Sequence, residues 1–361
     1  MRKGSRSFRG ALVAAVMLTT VFGTTGCKKL LAGLKKNKDA GTTASAGGVT
    51  AQDDADEQLQ EKLDEYIKCL NSLGSSIHQS RARYYTYIPR TGPTGREGYA
   101  DLYRLPAGAT ANCTAGVARS KTMPPSDPKL ESAGEEYAAS ATEIDKLIIE
   151  ADRYYENKDF RDDKWAKGKL MHPRLVAAWA RFSKADKELH DTLDGITKPL
   201  AQRTLARIER EEGKAFRWHR KHVLITSREM VEASDPVGED DDIDFNLYGA
   251  AYTSFEKALD ELEAYGGAHK SELSNQKLAP SWPMAGSNYD SFVKESNDFK
   301  KSAKEYWRCL RDAPAKAKTP SGKIDPDKLG NCNGTPAWKT GDEVVKQYNE
   351  FIRTSNSHPF P

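Results

Sequence analysis

Residues 59–88 read LQEKLDEYIKCLNSLGSSIHQSRARYYTYI. Leu59, Leu63, Tyr66, Leu70, Leu73 and Ile77 recur at spacings of three and four, and Tyr84 and Ile88 continue the stripe. That period places them on one face of an α-helix of about eight turns, with polar side chains covering the other face. Pro89 and the run Thr91, Gly92, Pro93, Thr94, Gly95 remove the period and predict a loop to about Ser126, with Cys113 on a short helix inside it.

The same grammar repeats outward. Asp127 as N-cap and Pro128 at the first helical position open a second helix, because the proline lacks an N–H that the first turn cannot use anyway. It carries Leu130, Tyr137, Ala141, Ile144, Ile148, Ala151 and Tyr155, with Gly134 in the one gap, where a close helix crossing is expected. A third helix is predicted from Pro173 (Leu175, Trp179, Phe182, Leu189, Leu193), interrupted at Gly195 and Pro199, and a fourth from about Leu200 to Ala233. Tyr248, Tyr252, Phe255, Leu259 and Leu262 mark a fifth; Tyr289, Phe292, Phe299, Ala303, Tyr306 and Leu310 a sixth. A last short helix is expected after Thr335 and Pro336, burying Trp338, Val345, Tyr348 and Ile352. No stretch alternates with period two, so the fold class is all-α: a bundle of about six to seven long amphipathic helices, disulfide-stapled loops and a disordered N-terminal tether, with almost no sheet.

The chain has 361 residues, 38% hydrophobic and 30% charged, with formal charge +3. Four of its basic side chains (Arg2, Lys3, Arg6, Arg9) precede an apolar run from Ala11 to Phe22, too short for a permanent membrane span and patterned as a signal peptide. Without them the chain is near neutral and offers no electrostatic case for nucleic acid as partner, since phosphate affinity needs a clustered cationic face. Gly23, Thr24, Thr25 and Gly26 lead into Cys27, a stretch that resembles the lipobox of bacterial lipoproteins, with Thr24 where that motif has Leu. The resemblance implies a lipidated Cys27, and acyl chains contribute about 0.8 kcal/mol per buried CH₂ to membrane attachment. Lys28 after that cysteine tilts the expectation toward the outer membrane, with the folded part in the periplasm. Residues 28–57, basic then rich in Gly, Ala, Thr and Ser, read as a tether reaching roughly 30 Å.

Cys69, Cys113, Cys309 and Cys332 remain, an even number for an exported chain and open to three pairings. Pairing Cys69 with Cys113 and Cys309 with Cys332 is favoured, since each then staples the loop that follows a helix. No Cys-x-x-Cys pair supports zinc.

Two stretches go beyond helix grammar: residues 62–71 (KLDEYIKCLN) with 92–103 (GPTGREGYADLY), and residues 154–173 (YYENKDFRDDKWAKGKLMHP). Together they resemble the YiiG-like family of bacterial lipoproteins, a domain of unknown function. The resemblance implies an α-helical, exported, lipid-anchored protein and carries over no catalytic residue. The expected organisation is a signal peptide (1–26), lipidated cysteine and tether (27–57), one all-α domain (58–355) and a tail (356–361).

The densest set of functional side chains lies in the turn-rich block Asp159 to His172, with Asp162, Asp163, Lys164, Lys169 and His172, and Tyr154, Tyr155 and Trp165 add an aromatic floor to this candidate binding surface. Against it stands the plainer reading, that the carboxylates cap a helix and His172 marks its start. Glu212, His219 and His222, spaced seven and three apart, are a weak candidate divalent-metal set, opposed by Arg217, Arg220 and Lys221 on the same turns. The acidic run Glu239 to Asp244 lacks the Gly and Glu that a calcium loop needs at its sixth and twelfth positions, where Phe245 and Ala251 stand. No nucleophile motif, phosphate loop or cofactor signature is present. The sequence therefore points to a non-catalytic binding or scaffolding module of the envelope, its partners the membrane and an envelope protein or cell-wall component. The alternative is a metal-dependent envelope enzyme using Glu212, His219 and His222.

Overall fold

A computed structural model describes residues 50–234, 242–273 and 285–357. Its long helices are α1 (Ala51–Tyr87), α2 (Ala109–Lys121), α3 (Pro128–Glu156), α4 (Ala166–Glu212), α5 (Phe216–Ser234), α6 (Phe245–Ala268), α7 (Ala285–Arg311) and α8 (Ala337–Ser357). The all-α class is as read from the sequence. Cys27, the signal peptide, most of the tether and Glu239 to Asp241 lie outside the described residues. The described residues divide into two compact units, 54–200 in one and 50–53 with those from 201 to 357 in the other, and the stretch 58–355 read as one domain runs through both.

In the first unit, α1, α3 and α4 turn their apolar stripes inward. Leu63, Tyr66, Leu73, Ile77 and Tyr84 of α1 are fully or almost fully buried with Leu130, Tyr137, Ile144 and Ile148 of α3 and Leu175, Trp179, Phe182 and Leu189 of α4. Each such side chain contributes about 1.5–3 kcal/mol on leaving water, which holds three helices against their ordering entropy. Asp127 caps α3 as its sequence predicts, its carboxylate accepting from the N–H groups of Lys129 and Leu130 at 3.1 and 3.0 Å. Gly134 sits where Tyr66 of α1 crosses: a Cβ there would lie 2.2 Å from the ring. Cys69 of α1 is bonded to Cys113 of α2, with Cα atoms 4.6 Å apart.

In the second unit, α5 to α8 pack around Tyr248, Phe255, Phe299, Tyr306, Tyr348 and Phe351, all essentially buried. Ring pairs tie α6 to α7 (Phe255 and Phe299, 5.0 Å) and α7 to α8 (Phe299 and Tyr348, 5.5 Å). The little sheet present is a hairpin, β1 (Asn331–Cys332) antiparallel to β2 (Thr335–Pro336). Its two turn residues, Asn333 and Gly334, both have positive φ, the requirement of the tight turn that matches strand twist. Cys332 on this hairpin is bonded to Cys309 of α7, Cα to Cα 5.2 Å.

Three boundaries differ from expectation. Residues 51–57, assigned to the tether, are the first turns of α1, because Thr50 and Asp53 cap them reciprocally: Asp53 Oδ2 accepts from Thr50 N and Oγ1 at 2.9 and 2.8 Å, and Thr50 Oγ1 accepts from Asp53 N at 3.2 Å. The third helix begins at Ala166 and continues through Pro173, Gly195 and Pro199 to Glu212. Each proline forfeits one backbone bond, yet Met171, Leu175, Leu193 and Leu200 on either side are buried, and that packing outweighs local punctuation. The fourth helix, expected over 200–233, is divided at Gly213, whose φ of 71° ends α4 before α5 begins.

Candidate functional site

The segment 154–172 forms a packed corner. Tyr154, Tyr155 and Trp165 are buried with Phe160, whose ring lies 4.5 Å from that of Trp165. The aromatic floor expected at the surface is thus core, because the stripe that ends at Tyr155 carries these rings inward and Phe160 closes over them. Asp163 accepts from Tyr154 Oη at 2.8 Å and from the backbone N–H of Lys167 at 2.9 Å, capping the start of α4. Partial burial pushes its carboxyl up, but the Lys167 and Tyr154 bonds prevail and hold it below the usual carboxylate range. His172 is buried: Nε2–H donates to the Arg90 carbonyl at 3.2 Å, which leaves Nδ1 to accept from Tyr84 Oη at 3.0 Å. Asp162, Lys164 and Lys169 are exposed and stand away from these bonds. Of the candidate surface, then, five side chains hold the structure together and three face solvent.

The set Glu212, His219 and His222 does not assemble. The break at Gly213 takes Glu212 off the helix that carries the two histidines, and Glu212 pairs with Arg217. His222 instead faces Glu261 of α6, Nδ1 to Oε2 3.8 Å, and the His219 ring lies 5.0 Å from that of Tyr265. Burial pushes both imidazoles below their ordinary pKa, with Glu261 opposing. Among the described residues, no three His, Cys, Asp or Glu side chains are placed to hold a metal ion.

A polar cluster that sequence reasoning missed joins α1 to α4. Asp186, buried, accepts from His78 Nε2 at 3.1 Å on one oxygen, and His190 Nε2 lies 3.5 Å from the other. Burial pushes the Asp186 carboxyl up, but hydrogen bonds from His190 and His78 outweigh it and the pKa falls to about 2. Burial, and then the Asp186 charge, drives the neighbouring Tyr137 phenol well above its ordinary value. The available signal was the pair Asp186 and His190, one helical turn apart on an otherwise apolar face; that His78 meets them is a tertiary fact.

The first unit carries an open groove on its surface. With a volume of about 870 Å³, it runs along α3, with α2 on one side and α4 on the other. Its floor is Val117, Ala118, Ala138, Ala139, Leu147 and Ala177; its rim carries Glu135, Glu143, Lys146 and Arg174. Ala118, Ala139 and Ala177 occupy outward positions where helices usually carry long polar side chains, and ending each at Cβ leaves the trench. The rim is ordered by ion pairs: Arg181 bridges Glu136 and Glu143, Lys121 holds Glu135 at 2.6 Å, and Arg174 lies 3.3 Å from Glu150.

The family model described as "Protein of unknown function (DUF3829)" matches residues 57–357, from the second turn of α1 to the end of α8. The chain belongs to that family. The DUF3829 match thus takes in the groove, the His78–Asp186–His190 cluster and both disulfides. Among curated proteins the chain is similar to "Uncharacterized protein YiiG" of Escherichia coli (strain K12), 27% identical over 315 residues, which is 85% of this chain and 82% of the relative. No solved structure matches the chain. Among the described residues, no helix is long and apolar enough to cross a membrane. For this DUF3829 member the site residues therefore rest on the geometry above.

Proposed function

We propose that the protein is a lipid-anchored binding module of the bacterial envelope, without catalytic chemistry of its own, whose α2–α3–α4 groove receives an amphipathic helix of another envelope protein. The groove is the observation that carries this reading. Small side chains along its floor let a helix backbone approach closely, and the lining of α3 from Glu135 to Lys146 is about 16 Å long, roughly three helical turns. The rim carries both signs, with Glu135, Glu143 and Arg174 already in ion pairs, so it suits the polar flanks of an amphipathic helix whose apolar face meets the floor. The anchor is supported by the apolar run from Ala11 to Phe22 and the residues leading to Cys27.

Photo-crosslinking groups placed at Ala118, Ala139 and Ala177 in intact cells test the groove, with Leu247, 61% exposed on α6, as control position. Discrete adducts from Ala118 and Ala177 that disappear with Ala139→Arg, a change at an exposed position, support the reading. Absence of adducts from all three, with substrate turnover by the purified protein, overturns it. The anchor is tested apart: a clickable fatty acid should label the wild type and leave Cys27→Ser unlabelled, and an unlabelled wild type rejects it.

A further inference from the structure

The first unit also exposes an aromatic cluster whose inner ring, Tyr87, packs against the core. Tyr99 and Tyr103, in the loop between α1 and α2, are 45% and 49% exposed. The guanidinium of Arg83 on α1 lies 4.9 Å from the ring centroid of Tyr87 and 5.5 Å from that of Tyr103. Tyr99 meets Tyr87 edge to face, centroids 5.0 Å apart and planes at 89°. Asp101 fixes the guanidinium, accepting from Nε at 2.7 Å and lying 2.6 Å from Nη2.

We propose that Tyr99, Tyr103, Arg83 and Asp101 form a carbohydrate-binding platform that takes one or two pyranose rings of a glycan. About half of each tyrosine is open to water, apolar surface that suits the C–H face of a sugar; Arg83 over the Tyr103 ring and Tyr87 against Tyr99 already order them, so binding pays little further rotamer entropy. Size argues against a protein partner. Two half-exposed tyrosines offer about 150–250 Å² between them, far below the roughly 800 Å² that each side of a stable protein interface buries. Polarity argues against a proline-rich peptide. The Asp101 carboxylate, 22% exposed, asks the ligand for donors, and prolines have no N–H to give. Vicinal hydroxyls do both tasks, donating to Asp101 and accepting from Arg83. The platform shares no residue with the groove and does not rest on the reading above.

Saturation-transfer NMR on the full chain tests it, with a β-linked N-acetylglucosamine tetramer and maltotetraose as glycan probes and a proline decamer as the competing class. We expect transfer to the ring C–H protons of at least one glycan with a Kd below about 1 mM. Tyr99→Ala and Tyr103→Ala should each weaken it at least tenfold while circular dichroism stays unchanged, since both rings are half exposed. Asp101→Asn should weaken it, and Ala139→Arg in the groove should leave it as it was. No transfer from either glycan at about 10 mM, an affinity indifferent to both tyrosine variants, or preference for the proline decamer overturns the proposal.

Discussion

Two glycines on long helices of the first unit should respond to the same substitution with opposite signs. Gly134→Ala places a Cβ 2.2 Å from Cε1 and 2.7 Å from Cδ1 of Tyr66. Carbon atoms rest at about 3.5–4.0 Å, so the ring must retreat by more than about 1 Å. Tyr66 is completely buried, so the ring can retreat only against its neighbours in the core. Overpacking of this kind costs about 1–3 kcal/mol, against which alanine returns about 1 kcal/mol of helix propensity, leaving a net loss of up to about 2 kcal/mol. Gly195→Ala on α4 meets nothing within 4 Å and should gain about 0.5–1 kcal/mol. Urea unfolding followed by circular dichroism, with disulfides oxidised, should therefore move the two midpoints apart in opposite directions. In a Tyr66→Leu background, which removes the obstructing ring edge, the Gly134→Ala penalty should vanish, as a double-mutant cycle would show. Stabilisation by Gly134→Ala alone would refute the crossing and, with it, the placement of α3 on α1.

Other consequences follow from the polar and covalent links. Asp186 has a depressed pKa, so its contribution of about 2–3 kcal/mol is present above the unfolded carboxylate pKa and is lost as pH falls from about 4 toward about 2; Asp186→Asn should flatten that limb of an acid-unfolding curve. Removing the Cys69–Cys113 bond, which closes a separation of 44 residues, should cost about 4 kcal/mol, and removing Cys309–Cys332, separation 23, about 3.4 kcal/mol, read from urea midpoints of the double alanine variants. His172→Ala should cost about 1–3 kcal/mol because it strands the buried Tyr84 hydroxyl, whereas Asp162→Ala and Lys169→Ala should stay within about 0.5 kcal/mol; equal effects from all three would contradict the packed corner.

The stripe from Leu63 to Ile77 and the cap at Asp127 were legible because each is local: a period of 3.6 and a side chain reaching its own second and third N–H groups need no knowledge of the rest of the chain. The continuity of α4 was not, since Pro173 and Pro199 are true local stops that buried neighbours override. Tyr155 shows how a surface can be misread from composition. It continues the helical stripe of Ile144, Ile148 and Ala151, and that spacing already sends it to the core; counting it among functional side chains set residue type above position. The His78 contact with Asp186 spans 108 residues, and no spacing rule reaches that far.

Where function resides follows from which side chains the fold has used. His172, Asp163, Asp186 and His78, the residue types chemistry most often needs, each take part in bonds that close one helix on another. Removing one of them should therefore register first in stability. Ala139 at the groove and Tyr99 and Tyr103 on the loop are different: none belongs to the buried core, and each presents apolar surface to water. Ala139→Arg and Tyr103→Ala should accordingly leave the unfolding midpoint within about 0.5 kcal/mol of wild type while each abolishes its own contact, the helix adduct in one case and the glycan signal in the other. A midpoint shift as large as that of His172→Ala would mean that these positions are structural too, and that neither surface is free to bind.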